Sequence, residues 1–191
     1  MQYSAARRSL GYDFRRTGKE RDMAEDILIV KAGAERIQHL EPLWKVLHSR
    51  HLEVDPGLPG IPIRSQEEAW DGRRRLYAAW LAEQDAFLLI AEQRGRPVGY
   101  ALTHLHEADE SWDTRGRFGV LESLSVLPEL RHRGVGRRLM SAVYDELRRL
   151  KVAVLDIGVV ATNESARRFY ERQGFAPWLI HYLGVIPGPG G

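Results

Sequence analysis

The hydrophobic positions of this chain recur with two periods, and each period predicts a type of element. Ile27-Leu28-Ile29-Val30 is a short apolar run and reads as a buried strand. Over residues 34–51, Ile37, Leu40, Trp44 and Leu47 are spaced three and four apart, which predicts a helix. A loop rich in Pro and Gly follows (Pro56, Gly57, Pro59, Gly60, Pro62). Ser65 with Glu68 three residues later is a capping-box pattern. It opens a second helix to about Ala82, with Trp70, Tyr77 and Leu81 on one face. Ala86–Glu92 and Pro97–Leu105 read as antiparallel strands joined by the tight turn Arg94-Gly95-Arg96-Pro97. A polar, acidic loop covers 106–116, and Phe118–Leu127 is a third long strand. Gly134–Leu150 carries the stripe Val135, Leu139, Val143, Leu147 and Leu150, a helix. Val152–Val160 is nearly continuous apolar sequence, the pattern of a strand buried on both faces. Asn163 precedes a helix over Glu164–Gln173, which Gly174 ends, and Phe175–Ile186 reads as a last strand. The strand–helix–strand unit at 118–160 demands a parallel crossover, whereas 86–105 is a hairpin. The fold class is therefore α/β: a mixed sheet with helices on both faces.

Composition changes the picture in three respects. The 191 residues fit one domain and suffice for a hydrophobic core. The chain has no cysteine, which excludes disulfides, thiolate metal sites and a thiol nucleophile. It fits a reducing compartment, and with no long apolar span and no apolar leader a cytoplasmic location without a membrane is expected. The net charge of +2 is uneven: residues 1–22 hold six basic and three acidic side chains, leaving a near-neutral body. Residues 1–22 are expected to be a disordered basic extension, 23–187 the domain, and 188–191 a frayed end.

Candidate chemistry concentrates between Leu121 and Gly136. A strand ends at Pro128, and a short turn leads into a helix whose start carries Gly134 and Gly136. Such a start offers free backbone N–H groups and the positive end of the helix dipole. Arg131, Arg133, Arg137 and Arg138 add cationic density, which suits a phosphate dianion. A Walker loop is absent, and the third glycine of a dinucleotide fingerprint is missing. Leu124-Ser125-Val126-Leu127-Pro128 with Arg131, Gly134 and Gly136 resembles the first motif of the GNAT superfamily of acyl-CoA-dependent N-acyltransferases. Asn163, Ala166, Phe169, Tyr170, Gly174 and Phe175 are similar to a second motif of that family, at the expected separation. The resemblance covers about residues 27–186.

That resemblance implies a GNAT fold, with six to seven strands flanked by about four helices and the fourth and fifth strands splayed apart. It implies acetyl-CoA as co-substrate. The backbone of Leu124, Ser125 and Val126 would pair with the pantetheine arm, and the Arg131-His132-Arg133-Gly134-Val135-Gly136-Arg137 turn would hold the pyrophosphate. Asn163, with Ala166 beside it, would bind the pantetheine or cap its own helix. Tyr170 would protonate the leaving sulfur, its alternative being a packed aromatic, and the Val126 N–H would meet the oxyanion. Glu122 is the candidate base; on a regular strand it shares a face with Leu124 and Val126. Its alternative is to order a loop or a water. Since no cysteine is available, the expected route is direct attack by the amine in a ternary complex.

Acceptor signals lie in two loops. Glu107, Asp109, Glu110 and Asp113 surround Trp112, a set able to attract a cationic amine, although an acidic loop is also an ordinary solvated face. The stretch 52–64 adds Glu53 and Asp55 as a second pocket wall. His104 and His106 alternate on one strand face, but no acidic partner accompanies them in the pattern, so no metal is assigned. The expected acceptor is a primary amine of a small molecule or peptide. The rival readings are an acyl-CoA-binding module without turnover and a nucleic-acid binder, which the near-neutral body disfavours. Monomer and homodimer both stay open.

Overall fold

The computed structural model describes residues 26–55, 57–107 and 116–186. The basic extension, Glu110, Trp112 and Asp113 of the acidic loop, and the expected C-terminal fray lie outside them. Five strands form one sheet in the order β1 (Ile27–Ala32), β2 (Ala86–Gln93), β3 (Arg96–Glu107), β4 (Arg117–Val126) and β5 (Leu155–Asp156). Neighbours are antiparallel except β4 and β5, which are parallel. The helices are α1 (Glu41–Val54), α2 (Gln66–Ala82), α3 (Val135–Arg149) and α4 (Glu164–Glu171). Two 3-10 segments, Ala34–Leu40 and Pro128–Leu130, precede α1 and α3. No helix among the described residues is long and apolar enough to cross a membrane.

Alternation along the central strands divides the core into two layers. Phe87, Leu89, Ala101, Leu105 and Leu121 meet the α3 stripe Val135, Leu139, Met140, Val143 and Leu147. Leu88, Ile90, Tyr100 and Leu102 meet Leu40, Leu43, Trp44, Trp70 and Tyr77 on the opposite face. Successive side chains of a strand point to opposite faces, so the unbroken apolar run of β2 is what a sheet covered on both sides requires. Trp44 and Trp70 are core residues, as their spacing predicts. The capping box at α2 is present: the Glu68 N–H donates to Ser65 Oγ at 3.2 Å and the Ser65 N–H to Glu68 Oε2 at 3.0 Å.

Four expectations are corrected. The helix over 34–51 is broken, because Pro42 lacks the N–H needed to continue from the 3-10 segment and instead sits in the first turn of α1. The helix then runs on to Val54, so Glu53 belongs to α1 rather than to a loop. The strand over 152–160 shrinks to two residues and lies at the sheet edge, where a ladder exists on one side only. Residues 175–186 form no strand among the described residues, and Trp178 and Tyr182 are 73% and 93% exposed. The sheet therefore has five strands where six to seven were expected.

Candidate functional site

β4 and the turn after it organise the site. Opposite β3, Leu102 pairs with Ser123 and Thr103 with Leu121, so Glu122 is the extra residue of a β-bulge. A bulge breaks the period-2 alternation and re-aims a side chain. Glu122 thus turns toward α2, where its Oε2 lies 3.8 Å from Arg73 Nη1, and not to the face of Leu124 and Val126 as regular alternation predicts. Burial raises the Glu122 pKa above the ordinary carboxylate value, and Arg73 and then His106 oppose the rise. Beneath it, Ser123 Oγ shares a hydrogen bond with Tyr77 Oη, which is 3.3 Å from Tyr100 Oη. Desolvation raises the pKa of both tyrosines, so the layer under Glu122 is neutral and fully buried. His104 and His106 reach the same side of β3. Their rings lie 4.3 Å apart; His104 stacks on Trp80 at 4.6 Å and His106 on Phe118 at 5.5 Å. Burial, and next His106, lower the His104 pKa.

The other edge of β4 is open. Pairing with β5 is confined to Gly119 with Leu155 and Val120 with Asp156, so Leu121–Val126 have no partner in β5. The strand leads into a turn anchored by buried Leu130. His132 (φ 60°) and Gly134 (φ 87°) adopt left-handed backbone, and a Cβ at Gly134 would meet nothing within 4 Å. The first α3 bond runs from the Arg138 N–H to the Gly134 carbonyl at 3.0 Å. The N–H groups of Val135, Gly136 and Arg137 therefore precede the intrahelical ladder. No side chain among the described residues caps this end, and its first turn holds no acid. The geometry fits an anionic group, with room in front of Gly134 and a helix dipole behind it. Arg131 folds back, its Nε donating to the Val126 carbonyl at 3.3 Å. Arg138 donates to the Ile27 carbonyl of β1, which removes it from the expected cationic cluster. Beside the turn, a cleft of about 360 Å³ separates it from α1, lined by Lys45, Ser49, Arg50, Glu53, Pro128 and Arg131.

α4 supplies the second group of residues. Asn163 is buried and caps the helix: Oδ1 accepts from the Ala166 N–H at 3.2 Å and from Ser165 Oγ at 3.0 Å. Tyr170 packs edge-on to Phe169 and Phe175 within the α3-side layer. Burial, and then Tyr144, push its phenol well above the usual tyrosine range.

A sequence model of the acetyltransferase (GNAT) family matches residues 51–175, which run from the end of α1 to just past α4 and include both groups of site residues. The chain belongs to the GNAT family. It is 35% identical over 116 residues to a mycothiol acetyltransferase of Propionibacterium freudenreichii, covering 60% of this chain and 35% of that protein. This chain thus matches about a third of that relative's length. It is 30% identical over 118 residues to the uncharacterized N-acetyltransferase YhfO of Bacillus subtilis, covering 61% and 77%. A crystal structure, with acetyl-CoA, of a predicted acetyltransferase from Clostridium acetobutylicum shares the fold at a TM-score of 0.66 and 17% identity, covering 82% of this chain and 96% of that one.

In this GNAT chain the residues expected to bind CoA fall in three places, Leu124–Val126 on β4, Arg131–Arg137 in the turn and start of α3, and Asn163, Ala166 and Tyr170 at α4, while Glu122 and Tyr170 lie on opposite faces of the sheet. The Ser125 hydroxyl is spent internally on the Leu43 carbonyl at 2.8 Å. Glu53 pairs with Arg50 at 2.7 Å, and Asp55 accepts the Gly57 N–H at 2.8 Å. Arg73 and the Tyr77–Ser123–Tyr100 network were not legible as site residues, because only the tertiary fold sets α2 against β4. The acidic partner that His104 and His106 lack in the pattern is Glu122 itself, supplied by the bulge.

Proposed function

We propose that this GNAT protein moves an acetyl group from acetyl-CoA to a primary amine of a small molecule or peptide by direct attack. The observation that carries the reading is the open edge of β4 running into an uncapped, acid-free helix start. An extended chain paired along Leu124–Val126 would arrive with its phosphate end at the amides of Val135–Arg137, the geometry of strand addition followed by anion capture. Arg131, folded against the Val126 carbonyl, adds a positive charge to the same end. Acetyl-CoA supplies the activated thioester.

Residues of this chain then meet the two proton requirements of aminolysis. Glu122 accepts the proton that the amine loses, directly or through one water; its raised pKa makes it a better base than an exposed carboxylate. Tyr170 is protonated at neutral pH, as a tyrosine ordinarily is and as its burial reinforces, and it donates to the departing sulfur. The Val126 N–H is the donor for developing negative charge on the carbonyl oxygen. Their opposite faces let base and acid approach a reacting centre at the β4 edge from two sides. The acceptor test is CoA release from acetyl-CoA over an amine panel of polyamines, aminoglycosides, amino acids, peptide N-termini and a mycothiol-type amine, the last suggested by the relative's name. Turnover with at least one class is expected; acetyl-CoA binding without turnover on any would favour a binding module instead.

A further inference from the structure

We propose that His104, His106 and Glu122 form a binding site for a divalent transition-metal cation of the zinc type. One ligand atom from each of the three lies within 4.8 Å of the others, the one such group among the described residues. Two structural features assemble it. His104 and His106 are two apart on β3 and so share a face. The bulge swings the Glu122 carboxylate onto that same face, where a regular strand would carry it away.

The site is built rather than incidental. Trp80 and Phe118 stack on the two imidazoles, at interplanar angles of 18° and 22°, and limit their rotation. His104 Nδ1 is buried with no hydrogen-bond partner among the described residues, an uncompensated polar atom that coordination through Nδ1 would offset. Two imidazoles and a carboxylate are the donors of three-ligand zinc sites, which leave one position open. Imidazole donors favour zinc, nickel, cobalt and copper over magnesium and calcium. In a tetrahedral site with bonds of about 2.0–2.1 Å the ligand atoms stand roughly 3.4 Å apart, so binding requires the three side chains to close in by at most about 1.4 Å from separations within 4.8 Å. Arg73 is the opposing charge: at 3.8 Å its pairing with Glu122 is loose enough to yield, and it keeps the affinity moderate. Occupancy takes the lone pairs that Glu122 offers an amine, so metal and acceptor compete; this consequence alone rests on reading Glu122 as the base.

The test is calorimetric titration of ZnCl₂ into the untagged, EDTA-stripped full chain, in wild type and in His106→Ala and Glu122→Gln. Circular dichroism confirms that each variant is folded, and the near-isosteric Glu122→Gln guards against loss of packing. One zinc per chain is expected, with affinity at least tenfold weaker in both variants. No binding by the wild type, or unchanged affinity in either variant, overturns the proposal. Because the readout is binding, the result stands whether or not the protein acetylates amines.

Discussion

Replacing Glu146 by Gln removes the ionic tie between α3 and the sheet. The Glu146 carboxylate accepts from Arg149 Nη2 at 2.7 Å and Nε at 3.0 Å, and it also pairs with Lys31 of β1. The hydrogen bonds from Arg149 and then Lys31 depress its pKa from the ordinary 4.5 to about 2, against the opposing effect of burial. At about 1.4 kcal/mol per unit, that shift sets a ceiling of about 3.4 kcal/mol. The carboxylate is 12% exposed, but Lys31 and Arg149 are 52% and 62% exposed, so solvent screening reduces the contribution to about 1–2 kcal/mol. The sign follows from a folded-state pKa below the unfolded one. The stabilisation is fully present above about pH 4.5 and is lost as the pH falls toward 2. Urea unfolding of wild type and Glu146→Gln at pH 7, 4 and 2.5 reads this directly. A destabilisation of about 1–2 kcal/mol at pH 7 that shrinks steadily on acidification is expected. A difference that is absent at pH 7, or equally large at pH 2.5, would refute the assignment.

Tyr170→Phe is expected to lower kcat by roughly ten- to a thousandfold while acetyl-CoA affinity holds; an unchanged kcat removes the acid role. Glu122→Gln is expected to cost a similar factor in kcat, read as CoA release at saturating amine, and a wild-type rate leaves Glu122 structural. Gly99→Ala places a Cβ 2.8 Å from the Ser125 carbonyl oxygen, a backbone atom that cannot step aside. It is expected to destabilise the β3–β4 pair by about 1–3 kcal/mol, measured by chemical denaturation.

Local signals carried much of the fold. The Ser65–Glu68 capping box, the two-residue turn at Arg94-Gly95 and the helix stop at Gly174, with its φ of 93°, are written in short stretches of residues, and the structure realises each of them. The glycine-bearing turn before α3 was equally legible, because glycine placement and a free helix start are local properties. What alternation could not reveal was register. Glu122 changes face because β4 holds one residue more than β3 across the bulge, a property of two strands together. The same fact hid the acidic partner of His104 and His106. The C-terminal segment shows the converse: Trp178–Ile186 has strand composition, but a strand also needs an edge to pair with, and β5 offers two residues. Of the two readings of Asn163, the structure realises the helix cap, whose Oδ1 accepts from the Ala166 N–H.

If the turn before α3 grips the phosphates of acetyl-CoA, a negative charge at Gly134 must weaken that grip. Asp and Asn both tolerate left-handed backbone and differ here mainly in charge, while the space around a Cβ at this position is open. Calorimetry of acetyl-CoA binding to wild type, Gly134→Asn and Gly134→Asp separates backbone strain from electrostatics. One acetyl-CoA per wild-type chain is expected, with a Gly134→Asp affinity at least tenfold below that of Gly134→Asn. No binding by the wild type, or equal affinity in the two variants, would contradict it.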